Sequence, residues 1–420
     1  MPSPRTLVVV ALSAALCLAV AGCATDAPKP VPTTTPSSSG KPTGDGVLRI
    51  GTVFPTTGAQ AYLGPAQAAA VEAAVREINE AGGVLGKPVE VLHRDSGDVA
   101  TDTLEKSLAD LQSRKVDVLI GPSSSVLAER LVPKLVAAGI PMISPAATSV
   151  RLSTVADFGL FFRTIPSAAL EGDALARAIG GGKARVAYVY LDDDTGAAIL
   201  GSLRSRLKAG FGSLVATQKF DPATKDFAPI VAAVKKTTPD AVVFASTFAA
   251  MEQNKAVITA LTAAGLGGAK LWLTGENMAD YSQALPAGTL TGVNGILAGA
   301  GSDAAFTARV KAADPAASNM AYAPEAFDAT ILAALAATVA RDASGPSIAA
   351  RLTDVSRGGI KCTSFGECVA VLKTRSDIDY DGISGPIAFD KNGDPSSAHF
   401  GVYKYDAANR FTRAGDTVGG

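Results

Sequence analysis

The chain has 420 residues, enough for two domains of ordinary size, and its 47% hydrophobic against 18% charged residues can fill a substantial core. Lys plus Arg number 38 and Asp plus Glu 39, a formal net charge of −1. That balance gives no electrostatic footing for nucleic acid as a partner.

Taken from the N-terminus, the chain carries one early cation, Arg5, and then an apolar run over 7–20. The run is too short for a comfortable membrane span and suits the apolar region of a signal peptide. It ends in Val20-Ala21-Gly22-Cys23, which resembles the lipobox of bacterial lipoproteins. The resemblance implies removal of 1–22 and a lipid on Cys23. Residues 23–46, rich in Pro, Thr and Ser, read as a solvated tether with nothing to bury. No later stretch reads as long and apolar enough to span a bilayer, so the lipid is expected to be the only membrane anchor.

From Val47 onward, short apolar runs alternate with helical patterns. Strands are expected at 48–54, 89–95, 116–121 and 142–144, then at 185–191, 214–220, 241–245 and 270–274. Helices are expected at 66–81, 101–114, 126–138, 169–179, 197–209, 227–237 and 251–264, with a late long one at 321–341. In 126–138 the 3.6-residue period is plain: Leu127, Leu131 and Leu135 lie on one line with Val132 and Val136 beside it. Glycines stop the helices at Gly82-Gly83, Gly139 and Gly180-Gly181-Gly182. Strand–helix alternation in two series predicts an α/β protein with two Rossmann-like lobes, each built on a parallel sheet covered on both faces. Open parallel sheets bind ligands beyond the carboxyl ends of their strands, and two facing lobes make a cleft.

Catalytic patterns fall short. There is no Gly-x-Ser-x-Gly elbow, no Walker loop and no Gly-x-Gly-x-x-Gly after a strand. With only His93 and His399, a Ser-His-Asp or His-rich metal site has little to draw on, so no metal and no cofactor are expected. Asp192-Asp193-Asp194 reads as a solvated loop favouring a helix start. Asp390-Lys391-Asn392-Gly393-Asp394 has a calcium-loop flavour, but its twelfth position is Gly401, and a turn is expected instead. Outside the cytoplasm, Cys362 and Cys368 are expected as a disulfide closing a small loop, two free thiols being the alternative.

Binding patterns do better. Gly121-Pro122-Ser123-Ser124-Ser125 joins a strand end to a helix start, where free N–H groups, the helix dipole and hydroxyls can seat a carboxylate. Simple N-capping by serine reads as well. Ser144-Pro145-Ala146-Ala147-Thr148 ends the next strand, and Leu273-Thr274-Gly275-Glu276 brings an acid to the end of another. A carboxylate seat on one lobe and an anion on the other suit a zwitterion.

Together these segments resemble the leucine/isoleucine/valine-binding proteins of ABC transporters. The resemblance also runs through Leu48-Arg49-Ile50-Gly51, Pro55-Thr56-Thr57-Gly58, the run from Ala74 to Gly83, Phe162-Arg163-Thr164 and the run from Gly385 to Asp390. It implies a type I periplasmic-binding fold with three crossings between lobes, near Pro166, Ala298 and Phe400. Lobe 1 would hold 47–166 plus 299–399, and lobe 2 would hold 167–298 plus 400–420. It implies that Ser125, beside Ser124, binds the ligand carboxylate and that Thr148 contacts both ends of the amino acid. The Ala146 carbonyl would accept from the ammonium and Glu276 would pair with it. Tyr62, Phe327 and Phe248 would be aromatic walls. Thr195 stands where members often carry a tyrosine, which polarises the side-chain pocket.

The resulting expectation is an extracytoplasmic, lipid-anchored, monomeric solute-binding protein and not an enzyme. It would close on an amino acid, branched-chain or similar, and deliver it to an ABC permease. The rivals are a binder or sensor for amides, urea or small carboxylates on the same fold and, remotely, an extracellular enzyme.

Overall fold

The apolar runs of the first series have no solvated face. In Arg49–Phe54 every side chain after the first is buried, which suits a strand covered on both sides. The computed structural model describes residues 43–420 except 59, 181–182, 300 and 375, and not the side chain of Phe248. The expected signal peptide, Cys23 and the tether up to residue 42 lie outside the described residues.

The first sheet holds β1 (Arg49–Phe54), β2 (Glu90–Asp95), β3 (Val118–Ile120), β4 (Met142–Ser144) and β5 (Phe161–Arg163), in the order β2-β1-β3-β4-β5. All its pairings are parallel. Its crossovers carry α1 (Gly64–Glu80), α2 (Thr103–Ser113) and α3 (Ser125–Ala138). Helix α3 buries Leu127, Leu131, Val132 and Leu135 and stops at Gly139, whose φ of 68° is the left-handed value a C-terminal glycine supplies.

After α4 (Glu171–Ile179) come β6 (Ala184–Leu191), α5 (Asp194–Arg206), β7 (Gly212–Phe220), α6 (Ala228–Lys236), β8 (Ala241–Ala245), α7 (Met251–Ala263), β9 (Leu271–Leu273) and β10 (Asn294–Ala298). These strands form the parallel part of a seven-stranded second sheet. The chain then adds α8 (Ala304–Ala313), α9 (Ala323–Ala340) and α10 (Gly345–Val355). A small sheet of β11 (Ile360–Cys362), β12 (Ile378–Gly382) and β13 (Gly385–Pro386) follows, with α11 (Phe365–Lys373) inserted. The hairpin β14 (Ala398–Tyr405) and β15 (Phe411–Gly419) returns antiparallel onto β10 and completes the second sheet.

Helix α9 packs on α1 within the core of the first sheet's side. By length and composition it could cross a membrane, which corrects the expectation that no stretch after the leader could do so. Its residues from Ala323 to Ala337 are all buried, so its apolar surface serves the core. Cys362 and Cys368 are disulfide-bonded, joining β11 to α11.

Three segments carry the chain between the two sheets' layers: 164–170, 299–303 and 390–397. The third ends before Phe400, which lies inside β14 opposite Ala298 of β10. Strands β5 and β10–β15 are not among the strands expected from the sequence; β5 is three residues long, and β11, β14 and β15 interleave polar with apolar residues.

Candidate functional site

Side-chain hydrogen bonds tie together the loops at the carboxyl ends of β3 and β4. Gly121 leaves β3 with a φ of 103°, and a Cβ there would fall 2.4 Å from the Val53 carbonyl oxygen, so only glycine permits this approach. Ser124 is the N-cap of α3, its Oγ accepting from the Leu127 N–H at 3.5 Å. The Ser125 Oγ accepts from the Ser149 N–H at 3.1 Å, tying the start of α3 to the loop after β4. In that loop Ser144 Oγ donates to the Pro122 carbonyl at 2.7 Å and accepts from Ala147 N–H at 3.1 Å. Ala146, buried, and half-buried Thr148 ride on this frame. Ser123, part of the strand-to-helix motif, donates to Gln67 Oε1 of α1 at 2.8 Å in the interior.

On the second sheet, β9 ends in a short turn, Gly275–Asn277, that carries Glu276. The Thr148 hydroxyl donates to Glu276 Oε1 at 3.3 Å, across 128 residues of sequence and from one sheet's loops to the other's. Ser125, Ala146, Thr148 and Glu276 are thereby gathered in one place.

The electrostatics there are one-sided. Burial pushes the Glu276 carboxyl above its ordinary range, the charge of Asp193 adds to this, and the Thr148 hydroxyl opposes it. Glu171, in the first turn of α4, is buried and accepts from the Gly275 N–H at 2.5 Å. Burial pushes its pKa up to about 8, and the Glu276 charge contributes in the same direction. Asp193 caps α5 by accepting from the Gly196 N–H at 2.7 Å, and burial raises it too. Thr195 is half-buried in the first turn of α5, its N–H near the Asp193 carboxylate.

The aromatic residues divide. Tyr62 is 62% exposed. Phe327 is in the packed core, edge-on to Phe306 at 5.7 Å with Arg309 over its ring. The side chain of Phe248 lies outside what is described. Tyr322, not singled out from the sequence, has Tyr62 and Glu276 among the charges that act on it. It sits at a left-handed φ of 62° just before α9.

One relay-like arrangement occurs elsewhere: His93 lies 2.7 Å from Thr52 Oγ1 and 2.9 Å from Glu72 Oε1. Thr52 is fully buried, so this chain of bonds joins β1, β2 and α1 and presents no nucleophile. Among the described residues no group of three or more His, Cys, Asp or Glu is placed to hold a metal. The open groove of about 410 Å³ beside Lys183, Asp240 and Trp272 is at the amino ends of the second sheet's strands, away from Thr148 and Glu276.

Comparison with known proteins fits this architecture. Residues 47–408 match the family described as periplasmic binding protein. A Leu/Ile/Val-binding protein homolog of Brucella abortus is 27% identical over 213 residues, 46% of this chain; the match spans 50% of that relative's length. The structure is similar to LivJ, the branched-chain amino acid transporter substrate-binding protein of Streptococcus pneumoniae, in complex with isoleucine. The TM-score is 0.61 at 21% identity, covering 89% of this chain and 99% of that one. It is also similar to an ABC transporter solute-binding protein of R. palustris in complex with benzoate. There the TM-score is 0.56 at 20% identity, covering 88% and 96%.

Proposed function

The chain belongs to the periplasmic binding protein family, a family of non-enzymatic solute-binding proteins, and on that premise we propose that it captures an amino acid between its two sheets for an ABC importer. The observation that carries this reading is the Thr148–Glu276 hydrogen bond, which brings a hydroxyl from one set of loops against an acid from the other.

The ligand carboxylate sits at the N-terminus of α3, on Ser124, Ser125 and the free N–H groups of the first turn. Its ammonium lies by Glu276, with the Ala146 carbonyl and Thr148 beside it. Surrounded by Glu171 and Asp193, Glu276 favours a cation and repels a plain anion. The lobes are 47–166 plus 299–399 and 167–298 plus 400–420, and the three joining segments flex between open and closed forms. A ligand that touches both lobes binds the closed form better and shifts the population toward it. The protein acts as a monomer, exported and held at the membrane by a lipid on Cys23.

The second reading is an aromatic or other small carboxylate, favoured by the likeness to the benzoate-bound protein. A thermal-shift panel of L-amino acids, amides, urea and benzoate separates the two. The proposal predicts the largest shift with an amino acid. A shift with benzoate and none with any amino acid overturns it.

A further inference from the structure

Arg163 ends β5 and is completely buried. A buried guanidinium needs an acceptor for each of its five N–H groups, and here all five are met. Nε donates to Asp394 Oδ1 at 2.6 Å and Nη2 to Asp394 Oδ2 at 3.0 Å, a two-pronged ion pair. Nη2 also donates to Ser153 Oγ at 2.7 Å. Nη1 donates to the carbonyls of Ala147 and Ser149, both at 2.9 Å. Those two carbonyls flank Thr148.

The same residue stands at the root of two joining segments. Segment 164–170 begins at the next residue, and Asp394 lies within 390–397. The backbone reinforces the connection: the Arg163 N–H donates to the Gly393 carbonyl at 3.0 Å. Gly393 has a φ of 73°, and a Cβ there would fall 2.2 Å from the Phe161 carbonyl, so the 390–394 turn lies flush on β5. The Ser153 hydroxyl closes the network on Asp394 Oδ2 at 2.6 Å.

We propose that Arg163 is a positioning residue for ligand capture, fixing the loop that carries Ala146 and Thr148 to the roots of two of the three segments on which the lobes move. It rests on the reading that Thr148 touches the ligand. One planar group sets both where Thr148 points and where the hinges begin. Motion of the lobes therefore carries the ligand loop as part of a rigid piece. A lysine keeps the charge but offers three donors in place of a fixed five-donor fork.

Hydrogen exchange read by mass spectrometry on the full chain, with no ligand added, tests the proposal. In Asp394→Asn, exchange over 145–150 and 390–397 is expected to rise about tenfold or more, a factor equivalent to 1.4 kcal/mol, while β6 and β8 keep their protection. Arg163→Lys, which retains the positive charge opposite Asp394, is expected to show the same local rise. Ser153→Ala, a milder change that removes one acceptor for Arg163 and one donor to Asp394, is expected to show a smaller rise over the same two stretches. Exchange that rises equally in both sheets, or a lysine variant that protects 145–150 as well as the unaltered chain does, overturns the proposal. Because no ligand takes part, failure here leaves the reading of the site standing, and the thermal-shift panel tests that reading separately.

Discussion

The loop on the first sheet and the turn on the second are held by opposite means. Residues 147–149 are gripped by a buried cation whose donors are all satisfied and whose charge is met by Asp394. The Gly275–Asn277 turn is gripped by a buried acid, Glu171, through a single N–H and beside another acid. A buried charge with a full set of partners is held by those partners. A buried carboxyl without a cation holds its place best when protonated. One side of the site is thus a fixed frame and the other a proton-sensitive one.

The largest effect tests the fixed frame. Arg163→Met leaves Asp394 buried without its counter-charge, and breaking such a pair costs about 3–5 kcal/mol. Denaturant unfolding is expected to show that loss; a cost below about 1 kcal/mol, the range of exposed pairs, would remove the distinction between the two sides.

The proton-sensitive side gives a smaller effect with a definite sign. Folding raises Glu171 from its ordinary 4.5 to about 8, so the folded chain holds a proton that the unfolded chain releases. The stability tied to that proton is fully present below pH 4.5 and is lost as pH rises through 8. Glu171→Gln keeps an acceptor for Gly275 and cannot ionise. Its stability relative to the unaltered chain is therefore expected to grow between pH 5 and pH 8, by about 1 kcal/mol or more. Parallel melting curves across that range would argue against it.

The smallest effect lies where the sides meet. Thr148→Val deletes the bond to Glu276 and nearly preserves shape. It is expected to weaken binding of the amino acid with the largest thermal shift by about fivefold, near 1 kcal/mol, with little change in melting temperature. Equal loss of stability and affinity would make Thr148 a packing residue only.

Much of this was legible in the sequence because parallel strands announce themselves as unbroken apolar runs and the site lies where those runs end. The loops bearing Ser125, Ala146, Thr148 and Glu276 follow directly from that rule. Arg163 and Asp394 are 231 residues apart, and no local pattern marks the pair; Asp394 sits in a stretch that reads only as a turn. Glu171 looks like an ordinary first-turn acid until the Gly275 backbone closes over it. Phe327 and Tyr322 show the same limit from the other direction. Helical spacing puts both near the start of α9 but does not tell a core ring from one near the site.

Titration calorimetry of the best-shifting amino acid against the unaltered chain and Glu276→Gln tests the central claim most directly. Loss of a charge-assisted hydrogen bond in a closing cleft, about 1.5–3 kcal/mol, predicts affinity weakened by about tenfold or more. Unchanged affinity would mean that the acid joining the two sheets does not hold the ligand, and the account of capture between them would be contradicted.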